Sequence, residues 1–191
     1  MPSELKVKEN GQIRFFVTGS FSPADSGTDY SRGTPTDVVL TLAGVADDAA
    51  RQSTKVDLGA TRPRAYTVLG CVDFTGETPT TGEPVEYWWA PSTSATQANG
   101  NVAGNSGADA DAPGGAVPSG LTLAEFLSMC HFIGTLRLSD DGAVQNGTVS
   151  ARWESPSRYG QLVVVNRGGA AFENDDVEMH QIFEPILDES Q

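Results

Sequence analysis

The chain has 191 residues, enough to bury one substantial core and too few for two comfortable domains. Its 12 Lys and Arg stand against 25 Asp and Glu, a formal charge of −13 that argues against a phosphate backbone, and so nucleic acid, as partner. Eleven Pro and 21 Gly between short β-prone runs disfavour a helical bundle and predict an all-β protein, an antiparallel sandwich of jelly-roll type with one short helix and one long loop.

In chain order, Leu5 and Val7 alternate with Lys6 and Lys8, Asn10-Gly11 supplies a turn, and Ile13 to Val17 returns. Residues 4–18 therefore read as a hairpin, an N-terminal arm over about 1–20 of a single domain spanning 1–191. The polar stretch from Phe21 to Thr36 is a loop, and Val38 to Leu42 resumes β character. Ala46 to Arg51 has the length of one helical turn, and Thr54 to Leu58 is a candidate strand. Tyr66 to Phe74 is a stronger strand, expected to pair with Val85 to Trp89 across the polar connection from Thr75 to Pro84.

Residues 90–120 hold Ala, Gly, Asn, Ser, Thr and Pro with two Asp, and no aromatic, Lys or Arg. Such a segment cannot build its own core, and the expectation is disorder or ordering by a neighbouring subunit. Thr122-Leu123-Ala124-Glu125 fits a capping box and opens a helix to about Met129, with Leu123, Phe126 and Leu127 on its apolar face, closing one end of the sandwich.

From His131 to Leu138 a period of two puts Phe132, Leu136 and Leu138 on one buried face, and Thr148 to Trp153 is expected to fold back against it. Gln161 to Val165 is a continuous apolar run, as for a strand covered on both faces. Val177 to Phe183 makes the last strand, ended by Pro185. From Ser139 onward 3 basic residues face 10 acidic ones, a balance of −7 that makes one end or face strongly acidic.

Chemistry-bearing motifs are few. Gly104-Asn105-Ser106-Gly107 could present a serine, but both histidines, His131 and His180, follow it in the chain, and no Gly-x-Ser-x-Gly elbow exists. The two histidines read as surface residues, and Cys71 and Cys130 as free buried thiols. The acidic cluster Glu173, Asp175, Asp176 and Glu178, like Asp109 and Asp111, offers oxygen ligands without the spacing of a calcium loop, so no metal and no cofactor is expected. Tyr87-Trp88-Trp89 is the densest aromatic triplet: exposed, it would stack on sugars or anchor a protein contact, and buried it is core. No basic segment with an apolar run opens the chain, and no apolar run nears the roughly 18 residues of a span, so neither a cleaved signal nor a membrane partner is expected.

Two stretches carry a family resemblance. Tyr87-Trp88-Trp89-Ala90-Pro91-Ser92 with the Asn-rich loop, and Ser155-Pro156-Ser157-Arg158-Tyr159-Gly160-Gln161 through Asn166 with Gly169-Ala170-Ala171-Phe172 and Asp176 to His180, resemble virion structural proteins of tailed bacteriophages that decorate or cement a capsid. The resemblance implies a non-enzymatic protein made in the host bacterial cytoplasm and located on the virion. Its partners would be the major capsid protein and further copies of itself, a trimer at local threefold positions being one arrangement. Interaction candidates are then Tyr87, Trp88 and Trp89 with Asn99, Asn101 and Asn105 of the loop. A tail tube or fibre component, or a carbohydrate-binding module, are the alternatives.

Overall fold

The computed structural model describes residues 11–17, 34–60, 62–113 and 121–186. Among these described residues, eleven strands and one α-helix follow in chain order. They are β1 (Ile13–Phe16), β2 (Thr36–Val39), β3 (Ala50–Gln52), β4 (Val56–Asp57), β5 (Ala65–Asp73), β6 (Pro84–Ser92) and β7 (Ala110–Asp111), then α1 (Leu123–Leu127), β8 (His131–Arg137), β9 (Val144–Trp153), β10 (Tyr159–Asn166) and β11 (His180–Ile186).

One sheet has the order β2-β1-β11-β5-β9 and the other β7-β3-β10-β6-β8, with β4 also pairing with β10. Without the short flanking strands β2, β4 and β7, eight strands remain, and the first, eighth, third and sixth face the second, seventh, fourth and fifth. That is the wrapping order of a jelly roll. The expected sandwich is therefore present, while the expected local hairpins are not. β5 and β6 lie in opposite sheets, as do β8 and β9; β5 pairs with β9 and β6 with β8. Turn residues fix where the chain reverses, not which sheet receives it.

The described part of the segment expected as an arm, residues 11–17, is interior. β1 is hydrogen-bonded to β11 on one side and β2 on the other, and Phe15 is fully buried. The proposed hairpin partner, residues 4–8, lies outside the described residues. The last strand starts at His180, leaving Val177 exposed, and runs through Pro185 to Ile186. Pro185 is tolerated because the pairing with β1 ends at Phe183, so no ladder bond is lost on that side. Residues 46–49 form turns that lead into β3, not a helical turn.

The centre of the core is aromatic: Trp89 lies 5.3 Å from Trp153, Trp153 5.3 Å from Phe183, and Phe183 5.0 Å from Phe15 between ring centroids. Each such pair adds about 0.5–1.5 kcal/mol beyond its area burial. Buried Trp89 satisfies its indole N–H on Ser157 Oγ at 2.9 Å.

Gln161 to Val165 is covered on both faces, as the unbroken apolar run Leu162 to Val165 requires, and Gln161 satisfies its amide on the Ser53 carbonyl at 3.0 Å. Leu162 and Val164 enter the main core, while Val163 and Val165 join Ala50, Ala90, Phe126 and Leu127 in a second cluster. α1 thus forms a partial third layer on the outer face of the second sheet, rather than closing an end. Its capping box is formed: Thr122 Oγ1 accepts from the Glu125 amide at 3.3 Å, and Glu125 Oε2 accepts from the Thr122 amide at 2.8 Å.

Candidate interaction face

The long loop is built onto the sandwich through residue 113. Lys55 Nζ donates to the carbonyls of Ser94, Thr96 and Asn99 at 3.1, 2.7 and 2.7 Å. Desolvation there lowers its pKa. Buried Gln52 donates to Asn105 Oδ1 at 2.6 Å and to the Ala108 carbonyl at 2.8 Å. Asp109 then joins β3 to the segment that follows β2. Its carboxylate accepts from Thr41 Oγ1 at 2.7 Å and from Arg51 Nε and Nη2 at 3.1 and 3.0 Å, which raises the Arg51 pKa. The expected disorder is thus corrected for residues 90–113. Tethers from Lys55, Gln52 and Arg51, all far away in sequence, supply what the loop's own composition lacks.

The Asn candidates divide. Asn105 is fully buried beneath the loop, and Asn101 is half-buried, donating to the Gln97 and Asn105 carbonyls at 2.8 and 2.6 Å. Both are structural. Asn99 is exposed, its carbonyl tied to Lys55.

The aromatic triplet also divides. Tyr87 and Trp89 point into the core with no exposure, and burial holds the Tyr87 phenol far above its ordinary pKa. Trp88 points outward, half-buried against the α1 layer, with Nε1 donating to Glu86 Oε2 at 3.1 Å. Beside it stands Phe132, 4.9 Å away between centroids, edge-on and 51% exposed. Phe132 was expected in the core. The register places Tyr87 opposite Gly134 but Trp88 opposite Phe132, leaving Ile133 as the extra residue of a bulge. The bulge reverses the alternation, so Ile133 is buried and Phe132 faces solvent. Met129, 41% exposed, lies just before β8. The exposure of Phe132 and Met129 does not follow from the hydrophobic pattern; the adjacent apolar pair Phe132-Ile133 followed by Gly134 is the one local sign of a bulge.

The acidic cluster serves the backbone. Asp176 is buried, accepting from the Ala43 amide at 3.4 Å, and burial raises its pKa. Asp175 Oδ1 accepts from the Val177 amide at 3.2 Å, and the Glu173 amide donates to the Asp73 carbonyl at 2.9 Å. Among the described residues no three His, Cys, Asp or Glu side chains form a metal-holding group, and no helix is long and apolar enough to cross a membrane. His131 is exposed as expected, but His180 is buried, with Nδ1 donating to the Glu178 carbonyl at 2.8 Å; it lies on the inner strand β11, between two partners. Neither Cys71 nor Cys130 is in a disulfide, and Cys71 Sγ donates to the Glu178 carbonyl at 3.5 Å. Cys71 is buried, and burial pushes the half-buried Cys130 thiol up to about 12.

A cleft of about 370 Å³ opens between residues 43–51 on one side and Asp111, Ala112 and Leu123 on the other. Ala is the commonest residue of its walls, with Asp48, Arg51 and Asp111 supplying charge.

No family model and no curated protein matches the chain. A solved structure of the clostridial cysteine protease Cwp84 after propeptide cleavage is similar at 11% identity, covering 83% of this chain and 27% of that one, with a TM-score of 0.33. This chain spans about a quarter of that protein, and a likeness this shallow carries no argument. The jelly-roll class of the protein rests on its own topology.

Proposed function

We propose that the chain is a non-catalytic virion structural protein of a tailed bacteriophage, which docks on the outer surface of the capsid and cements it. The phage assignment rests on the resemblance of its C-terminal half and of the stretch around Trp88. The docking role is carried by one observation: the Phe132–Trp88 pair, held edge-on at 4.9 Å on the outside of a rigid sheet, with Phe132 more than half exposed. An exposed aromatic on a fixed backbone loses little entropy when covered, which is the character of an interface anchor. A net charge of −13 suits an outer face better than a surface lining packaged DNA. No chemistry is required of the protein.

The test is to incubate the purified protein with expanded, undecorated capsids, sediment them, and measure bound copies per major capsid protein. Saturation near a fixed capsomer ratio, with a raised thermal-rupture temperature, is the expected result. Absence of co-sedimentation overturns surface decoration. A carbohydrate-binding reading keeps only two neighbouring rings, Trp88 and Phe132, since Tyr87 and Trp89 are core. A tail component is separated from both by copy number per virion.

A further inference from the structure

The alanine-walled cleft is chemically distinct from the aromatic patch. Its floor guanidinium, Arg51, is bound by two carboxylates, Asp109 and Asp111, at 3.0 Å each. Asp48 at its rim pairs with Arg167 at 2.6 Å, and Arg167 also lies 3.9 Å from Glu86. Two guanidiniums therefore meet four carboxylates, leaving a surplus of negative charge. Although each is already paired with an arginine, the side chains of Asp111 and Asp48 are 92% and 75% exposed and so open to a further donor. The other lining residues are small or aliphatic, among them Ala43, Ala46, Ala49 and Ala112, with Leu123. A volume of about 370 Å³ falls at the small end of the roughly 300–1,000 Å³ of ligand sites.

Apolar walls with an anionic rim match a group with an aliphatic stem and a cationic head. We propose that this cleft receives a lysine or arginine side chain of a partner protein. The stem lies against the alanines, and the head sits between Asp48 and Asp111. This deepens the docking reading and rests on it, by naming the chemistry of a second contact. A free anion is repelled by the rim, and a flat ring system finds no aromatic wall to stack on.

The test uses Nα-acetyl-L-arginine amide and Nα-acetyl-L-lysine amide as probes, with neutral Nα-acetyl-L-norleucine amide as control. Amide shifts of the full chain are followed by NMR. The expected result is saturable shifts at Gly44, Ala46, Ala49, Arg51 and Ala112 with a basic probe, and binding at least about tenfold weaker for norleucine. The double substitution Asp48→Asn, Asp111→Asn weakens the basic probe by about tenfold as well. Asn tolerates the positive φ of 61° at residue 48, so the fold is retained. Ala46→Trp, as a steric plug, abolishes the shifts at unchanged Tm. The proposal is overturned if neither basic probe gives saturable shifts there, if norleucine binds equally well, or if the same shifts arise from protein concentration alone, which would make a second copy the occupant. Wild type tested against probes and capsids side by side separates the two readings. Probe binding by wild type without capsid binding sinks decoration alone, whereas capsid binding by wild type without probe binding sinks the cleft alone.

Discussion

Phe132 faces Trp88 across β8 and β6 at 4.9 Å, whereas Tyr87, the chain neighbour of Trp88, faces Gly134. Strand alternation puts Tyr87 and Trp88 in two environments, the bulge in β8 sets Phe132 beside the outward ring, and stability and docking are expected to separate along that division. Phe132→Ser should move Tm by no more than about 2–4 °C, the shift that roughly 1 kcal/mol gives in a chain of this size. Trp89→Ala should cost about 3–5 kcal/mol, since it empties the centre of the core. Thermal and urea denaturation of the two variants check the contrast.

The order of the long loop depends on one ammonium. Lys55→Met removes three hydrogen bonds to loop carbonyls and is expected to destabilise the fold by about 1–2 kcal/mol, less than for a fully buried ion because the site is open to water. The amides of Thr93 and Asn99, which close turns within that loop, should lose hydrogen-exchange protection before those of β10 do.

Asp109 joins β3 to the segment after β2. Asp109→Ala leaves Arg51 with Asp111 alone and removes the acceptor of Thr41, at an expected cost of about 2–3 kcal/mol. Asp109→Asn, which keeps one acceptor oxygen, should cost less, and chemical denaturation ranks the two.

Two carboxylates should move stability in opposite directions with pH. Arg158, through a bidentate contact, lowers the pKa of Asp57, so this contribution is present above the unfolded value of about 3.8 and is lost as pH falls through the folded one. Asp176 has a raised folded pKa. Its relative stabilisation is complete below the unfolded value and is lost as pH rises through the folded one. Asp176→Asn should therefore be at least as stable as wild type at pH 7, with any advantage shrinking as the pH falls toward 4. Asp57→Asn should do the reverse, losing stability at pH 7 and little at acid pH. Tm against pH for the three proteins decides this.

The parts of the fold legible in the sequence are those written in local pattern. The apolar run Gln161 to Val165 announced a strand with both faces covered, and Thr122 with Glu125 announced the start of α1. Pairing was not legible, because a jelly roll sends nearly every connection to the opposite sheet and the local turn at Asp140-Asp141-Gly142 looks the same in either topology. The exposed site was half legible. Trp88 was visible as part of the triplet, but the side each ring takes follows from strand alternation, and that of Phe132 from a bulge set by the partner strand. The loop tethers were hidden because Lys55, Gln52 and Arg51 lie some 40 to 60 residues from what they bind.

The most direct measurement is a binding isotherm of wild type and Phe132→Ser on the same expanded, undecorated capsids, by co-sedimentation, with the Tm of each free protein recorded. The expected result is saturation by wild type at a fixed ratio to the major capsid protein, and at least about tenfold weaker binding by the variant at nearly unchanged Tm. Equal binding by the two would remove the aromatic face from the interface, and no binding by either would contradict capsid decoration itself.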